Sequence, residues 1–198
     1  MALFTEATIR KRAHDELRKS GLLKKSEQLI VESTAAYSTA KSYDIFLSHG
    51  IRDADLILGM KGTLEDLGYI VYVDWIEDPQ LDRSRVTPAT ADKLRQRMNS
   101  SKSLFFVTTA NTDSSKWMPW ECGYFDGKKE KVAIVPILAE SYDNSYSGQE
   151  YLALYPYAVQ QQNRAEKETL YIRRSKSRYT TYNTWVITPN SQVVWQEG

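Results

Sequence analysis

The 198-residue chain contains a single cysteine, two histidines and a net charge of only +1. One cysteine cannot form an internal disulfide, which is typical of proteins from a reducing compartment. The small net charge gives no sign of nucleic-acid binding. No apolar run approaches the roughly 18 residues that cross a membrane, and residues 10–19 carry charges where a signal peptide would be apolar. These absences predict a soluble cytoplasmic protein.

Several catalytic patterns are also missing from the chain. It has no phosphate-binding GxxxxGK(S/T), no dinucleotide-binding GxGxxG and no GxSxG nucleophile elbow. The histidines, His14 and His49, lie far apart in the sequence and belong to no pair of metal ligands. The sequence therefore predicts neither a metal site nor a bound cofactor.

The composition is that of an ordinary globular protein, with 41% hydrophobic and 26% charged residues. The chain begins with a segment that is predicted to be helical. Ile9, Ala13 and Leu17 recur every four residues, and a second helix is predicted over residues 24–36. Basic residues cluster here but alternate with acidic ones, which favours a packing or self-association role over a membrane or nucleic-acid surface. We interpret residues 1–40 as a helical N-terminal extension.

From Tyr43 onward the chain alternates short apolar runs with helical segments. The runs YDIFLS, YIVYV, SLFFVTT and KVAIVPIL do not alternate in polarity, which is typical of strands buried on both faces. Helices are predicted over residues 53–67, 88–100 and 116–126, with Gly68 and Gly127 at two of their ends. This order predicts an α/β fold with a doubly wound parallel sheet.

Beyond Glu140 the pattern is looser. SYDNSYSGQE reads as a loop, ETLYIRR as a fifth strand, and TWVITPNSQVVWQ as a small hairpin that turns at residues 189–191. We therefore divide the remainder of the chain into a domain over residues 42–175 and a C-terminal extension over residues 176–198.

In an open parallel sheet, ligands bind beyond the carboxyl ends of the strands. The first strand is followed by Ser48, His49 and Gly50, and the second by Asp74 and Trp75. Each has a structural alternative: a helix cap or turn for Ser48 and Gly50, and local backbone bonds for Asp74. His49 is interpreted as a surface or ligand-edge residue, and Trp75 as the cover of a core edge or of a planar ligand.

The third strand leads into SSKWMPWECGYFDG, residues 114–127, which concentrates aromatic residues around Glu121. A carboxylate in the first turn of a helix is favourable by about 0.3–1 kcal/mol, so Glu121 has a purely structural explanation. The alternative is a catalytic carboxylate in a dry pocket. Cys122 is interpreted as a buried filler, because no histidine is placed to activate it.

Three of these segments resemble, in the same order, the motifs of TIR (Toll/interleukin-1 receptor) domains. YDIFLSHGIRDAD resembles their first box, LGYIVYVD their second strand, and SSKWMPWE the serine–tryptophan–three residues–glutamate motif of NAD-cleaving members. The resemblance covers about residues 42–138, with ETLYIRR as the fifth strand. Two departures stand out: His49-Gly50 replaces the arginine or aromatic of many members, and Met118-Pro119-Trp120 differs from the Cys-Leu pair of plant members. The latter is closer to bacterial, Thoeris-like anti-phage TIR proteins.

The resemblance implies a flavodoxin-like five-stranded sheet of order 2-1-3-4-5 and cleavage of the nicotinamide–ribose bond of NAD+. It implies that Glu121 is catalytic. The residues that it places against the substrate are Ser48, His49, Gly50, Asp74, Trp75 and Trp117. NAD+ would be the substrate, with no further cofactor.

The resemblance also implies partners: further copies of the chain through TIR–TIR contacts, and a downstream effector that senses the nucleotide product. Two alternatives remain at this stage. One is a non-enzymatic TIR adaptor that acts by self-association, although such adaptors often lack the glutamate. The other is a nucleoside deoxyribosyltransferase-like enzyme, which shares the fold style and a catalytic glutamate but not the tryptophan spacing.

Overall fold

The computed structural model describes residues 3–19, 42–81, 86–109, 115–139 and 150–198. The strands in these ranges are β1 (Phe4–Thr5), β2 (Tyr43–Ser48), β3 (Val71–Tyr72), β4 (Ser101–Thr108), β5 (Val132–Leu138), β6 (Tyr157–Gln162), β7 (Glu168–Arg173), β8 (Arg178–Thr181) and β9 (Gln196–Glu197). The α-helices are α1 (Glu6–Lys19), α2 (Ala54–Asp66), α3 (Asp74–Glu77), α4 (Pro88–Asn99), α5 (Met118–Lys129) and α6 (Tyr182–Ile187).

The core of the sheet consists of five parallel strands in the order β3-β2-β4-β5-β6. Numbered by their appearance in the chain, these five strands have the predicted order 2-1-3-4-5. The flavodoxin-like α/β prediction is therefore confirmed. The carboxyl ends of β2 and β4 lie side by side, since Ser48 is in register with Phe106.

Both faces of the sheet are covered, which explains why the central strands do not alternate in polarity. On one face, Ile45 and Leu47 of β2 belong to an apolar cluster that also contains residues of α1, α2 and α6. On the other, Tyr43 and Phe46 belong to a cluster with residues of α4 and α5. The helices therefore sandwich the sheet and bring the start of α5 to its carboxyl rim.

The N-terminal helix packs on this framework. Ile9 and Ala13 are buried as predicted, and a Cβ atom at Gly59 of α2 would overlap the backbone of Ile9. Only a glycine permits so close an approach of the two helices. Just before α1, β1 pairs in parallel with the carboxyl end of β5. The predicted second helix over residues 24–36 lies outside the described residues, as does almost all of the predicted loop over residues 141–150.

The fold differs from the prediction in three respects, two of them in the C-terminal third. The fifth parallel strand is β6, and ETLYIRR forms β7, which pairs antiparallel to it. The hairpin over residues 184–196 is wrong: α6 and a 3-10 turn (Asn190–Gln192) occupy this stretch, because Trp185 is buried in the core. Gly127 does not end its helix, since α5 continues to Lys129 and ends at Glu130 in a left-handed conformation.

The boundaries of the sequence-based domain division stay a prediction. The described structure shows one sheet that continues through β8 and β9, beyond residue 176. Within the described ranges, none of the helices has the length and apolar character that a bilayer crossing demands.

Candidate active site

A buried serine–glutamate pair lies at the carboxyl rim of the sheet. Ser48, the last residue of β2, donates a hydrogen bond from its hydroxyl to Oε2 of Glu121 at 2.6 Å. Neither side chain has exposed surface. The distance is at the short end of the range for an O–H···O hydrogen bond. Because Glu121 is shielded from solvent, a ligand can reach its carboxylate only if the atoms that cover it move.

The first turn of α5 sets the position of Glu121. The helix begins after Trp117, with Pro119 in its first turn, where the missing N–H costs nothing. The backbone N–H of Glu121 donates to the carbonyl of Trp117 at 2.8 Å, so the two residues lie one turn apart on the same face. Trp117 is itself almost fully buried. The tryptophan–three residues–glutamate spacing thus places an indole one turn below a carboxylate at a helix N-terminus, which favours negative charge.

The loops after β2 and β3 meet through His49. Its Nδ1 lies 2.8 Å from the carbonyl oxygen of Leu47, and its Nε2 accepts a hydrogen bond from the indole N–H of Trp75 at 2.9 Å. Asp74 lies beside this pair, with Oδ1 3.3 Å from Nε2 of His49, and accepts from the backbone N–H of Trp75 at 2.8 Å. The predicted local backbone bond of Asp74 is therefore present.

A second buried carboxylate holds the far end of the β3 loop. Asp78 accepts two hydrogen bonds from the guanidinium of Arg97, at 2.7 and 2.8 Å, and one from the hydroxyl of Tyr72 at 2.9 Å. Lys93 adds a further contact at 3.2 Å. Burial by itself would raise the pKa of the Asp78 carboxyl, but the bonds from Arg97 and Tyr72 outweigh it and the pKa lies below its usual range. This network fastens the loop to α4.

The structure brings most of the predicted site residues together, whereas Trp120 and Cys122 of the same segment have packing roles. Ser48, His49, Gly50, Asp74, Trp117 and Glu121 are all buried, and Trp75 is half-buried. Trp120 stacks on Tyr124, lies under the guanidinium of Arg95 and packs edge-on against Trp117 with ring centroids 5.5 Å apart. Burial raises the pKa of the Cys122 thiol to about 11, which fits a packing residue. Among the described residues, no group of acidic, histidine or cysteine side chains has the arrangement of a metal site.

Sequence reasoning missed two contacts that build the rim. Asp53, at the start of α2, accepts a hydrogen bond from the hydroxyl of Thr109, just after β4, at 2.7 Å. The Asp78–Arg97 pair joins residues 19 positions apart. An aspartate before a helix is a recognisable signal for Asp53. No sequence pattern pairs Asp78 with Arg97, because the contact exists only once α4 packs beside the loop.

A parallel sheet of order 2-1-3-4-5 with a tryptophan and a glutamate at this spacing on the rim helix defines a TIR-type domain. No family model matches the chain. A protein of Bacillus cereus (strain MSX-D12), "Probable 3' cyclic ADP-D-ribose synthase ThsB'", is 48% identical over 190 residues, which are 94% of this chain and 98% of that protein. The chain therefore belongs to the ThsB' family of bacterial TIR proteins.

Two further proteins are similar over shorter stretches. "Putative cyclic ADP-D-ribose synthase TIR2" of Cytobacillus dafuensis is 34% identical over 85 residues, which are 42% of this chain and 22% of that protein. Among solved structures, the TIR domain of the Toll-related receptor TRR-2 from Hydra magnipapillata has a TM-score of 0.38 and 18% identity, over 53% of this chain and 77% of that one. The fold assignment rests on the strand order rather than on this distant structure.

Proposed function

We propose that the protein cleaves the nicotinamide–ribose bond of NAD+ and releases nicotinamide together with a cyclic ADP-ribose isomer or linear ADP-ribose. The observation that carries this proposal is the buried hydrogen bond between Ser48 and Glu121, set one turn beyond Trp117. Two relatives of this protein, from Bacillus cereus and Cytobacillus dafuensis, bear the name of cyclic ADP-D-ribose synthases, which supports the cyclic product.

The reaction fits a site with one acidic catalytic group. When the bond between C1′ of the ribose and the nicotinamide nitrogen breaks, its electron pair moves to the nitrogen, and the leaving group departs neutral. No strong general acid is needed. The ribose becomes an oxocarbenium ion, which the negative charge of Glu121 would stabilise while its oxygens hold the ribose hydroxyls.

The surroundings of Glu121 strengthen this effect. The carboxylate is fully buried, and Trp117 beside it is almost fully buried. Exclusion of water lowers the local dielectric constant, so a given charge acts more strongly on the cation. The exclusion of water also determines whether the product is cyclic or linear. With water absent, a nucleophilic atom of the same ADP-ribose bonds to C1′, loses its proton if it is a hydroxyl oxygen, and closes a ring. When water enters, it attacks C1′, loses a proton and gives linear ADP-ribose.

The proposal also gives roles to the other residues. Ser48 orients the carboxylate through its hydroxyl, and Trp117 forms the apolar wall. We assign Gly50, Asp74 and Trp75 to the substrate-facing side of the first two loops, as the TIR resemblance implies. NAD+ serves as the substrate, and no other cofactor takes part.

The test is the incubation of purified protein with NAD+ and separation of the products by chromatography. Wild type is expected to consume NAD+, whereas Glu121→Gln loses at least about a thousandfold in rate because its amide cannot stabilise the cation. Glu65→Gln is the matched control, since Glu65 is an exposed residue of α2. Circular dichroism establishes that both variants are folded.

Two results would contradict the proposal. One is equal activity of Glu121→Gln and wild type. The other is a wild type that consumes no NAD+ at high concentration or in the presence of a lysate from phage-infected cells. In the second case, the non-enzymatic adaptor would be the better reading.

We further propose that the protein acts with partners in anti-phage signalling. Copies of the chain would assemble through TIR–TIR contacts, and a downstream effector would sense the nucleotide product. Specific activity that rises with protein concentration, in step with the mass measured by light scattering, would support assembly. A constant specific activity over that range would argue against it.

A further inference from the structure

His49 presents neither ring nitrogen to a ligand, although it lies in the first loop of the site. The side chain is 3% exposed. Its Nδ1 faces the carbonyl oxygen of Leu47 and its Nε2 faces the indole N–H of Trp75. The residue is therefore engaged entirely by the protein.

These two partners fix the tautomer of the ring. A carbonyl oxygen only accepts and an indole N–H only donates, so the proton lies on Nδ1 and the lone pair on Nε2. Nε2, which takes the indole N–H, also lies 3.3 Å from Oδ1 of Asp74. Oδ1 of Asp74 receives the backbone N–H of Trp75.

Trp75 depends on such contacts for its position. It lies in α3, a helix of four residues, which is too short to be stable by itself. At the far end of this helix, Tyr43 donates to Glu77 at 3.1 Å and Asp78 is bound by Arg97. At the near end, the hydrogen bond from the indole N–H of Trp75 to Nε2 of His49 joins Trp75 to the end of β2.

The end of β2 is also where the catalytic pair begins. Ser48 points to Glu121, and the next residue, His49, points to Trp75. We propose that His49 is a positioning residue that sets the indole of Trp75 at a fixed place relative to Glu121, and that it does not touch the substrate. This role rests on the proposed NAD+-cleaving function, in which Trp75 contacts the substrate.

Two substitutions at His49 test the contributions of its two hydrogen bonds separately. His49→Asn retains a donor near the position of Nδ1 but has no group near Nε2. His49→Gln retains an acceptor near the position of Nε2. Loss of one buried hydrogen bond predicts an increase of about tenfold in KM for His49→Asn with little change in kcat, and recovery of most of this loss in His49→Gln.

Trp75→Phe completes the test, because it removes the same bond from the other side. The double variant His49→Asn/Trp75→Phe is expected to be no worse than Trp75→Phe alone. Multiplicative losses in the double variant, or equal KM values for His49→Asn and His49→Gln, would overturn the proposal. So would a fall in kcat at unchanged KM in His49→Asn, which would indicate a direct part in the chemistry.

A spectroscopic measurement keeps this proposal distinct from the enzymatic one. The indole N–H resonance of Trp75, identified by its absence in Trp75→Phe, is expected to move in His49→Asn and to stay near its wild-type position in His49→Gln. The measurement needs no NAD+ cleavage. An indole resonance that is unchanged in His49→Asn would refute the positioning role even if the protein proved to be an active enzyme.

Discussion

Two fully buried carboxylates lie at the same rim of the sheet, and their surroundings differ. Asp78 is bound by cationic side chains: it accepts two hydrogen bonds from Arg97 and contacts Lys93. Glu121 receives the neutral hydroxyl of Ser48 at 2.6 Å and lies in the first turn of a helix. A carboxylate that is bound by a guanidinium fork has its charge balanced in place. The hydroxyl of Ser48 and the helix N-terminus orient the carboxylate of Glu121.

The difference separates a structural acid from a functional one. Removal of one partner from a buried ion pair leaves the other charge uncompensated, so the pair resists change and fastens the β3 loop to α4. The role proposed for Glu121 requires instead that its negative charge act on an incoming cation. Changes at Asp78 should therefore reduce stability, and changes around Glu121 should reduce the rate of NAD+ cleavage.

The largest expected effect is on stability, in Arg97→Met. Asp78 would keep its buried charge without the guanidinium, so we expect a loss of about 3–5 kcal/mol in the free energy of unfolding, measured in urea. Arg95→Met is the matched control two residues away. Its ion pair with Asp92 is exposed, so its loss should cost less than about 1 kcal/mol. Equal losses in the two variants would remove the distinction between the buried and the exposed pair.

The second prediction concerns the stability of the protein at low pH. The folded-state pKa of Asp78 is lowered, so its contribution to stability is complete above the pKa of the unfolded chain, about 3.8. As the pH falls through that value and then through the lower folded-state pKa, the contribution disappears. Asp78→Asn should therefore lose less stability than wild type between pH 5 and pH 3, as measured by urea unfolding at each pH. Parallel pH profiles would show that Asp78 does not carry this dependence.

The sequence predicted the framework of this rim better than its contacts. The buried strands and the tryptophan–glutamate spacing are local patterns, and both are read directly from apolar runs and from positions four apart. The fifth strand was misplaced because the apolar content of YAVQQQ, which forms β6, does not distinguish it from ETLYIRR, and only the pairing with β5 decides between them. The hairpin failed for a similar reason: burial of Trp185 against the core overrides the β propensity of its neighbours.

The third prediction tests how the glutamate is oriented. Ser48→Ala removes the hydroxyl that holds Oε2 of Glu121, and we expect the rate of NAD+ cleavage to fall about tenfold, with a change in unfolding free energy of about 1 kcal/mol. Ser103→Ala is the control, because Ser103 is also buried on a neighbouring strand but bonds to Tyr182 and to the carbonyl of Asp44. It should lose stability and keep the wild-type rate. A Ser48→Ala enzyme of wild-type activity would show that the hydroxyl of Ser48 does not position Glu121.

The smallest expected effect is at Cys122, the residue that follows Glu121. Its thiol is buried, and this burial is the main reason that its pKa is raised to about 11. At pH 8 only a small fraction is thiolate, so iodoacetamide should modify the native protein at least about a hundredfold more slowly than the denatured chain. Cys122→Ala should also retain the wild-type rate of NAD+ cleavage. Rapid modification of the native protein with loss of activity would place Cys122 in the site with Glu121. It would contradict the assignment of Glu121 to catalysis and of its neighbour Cys122 to packing.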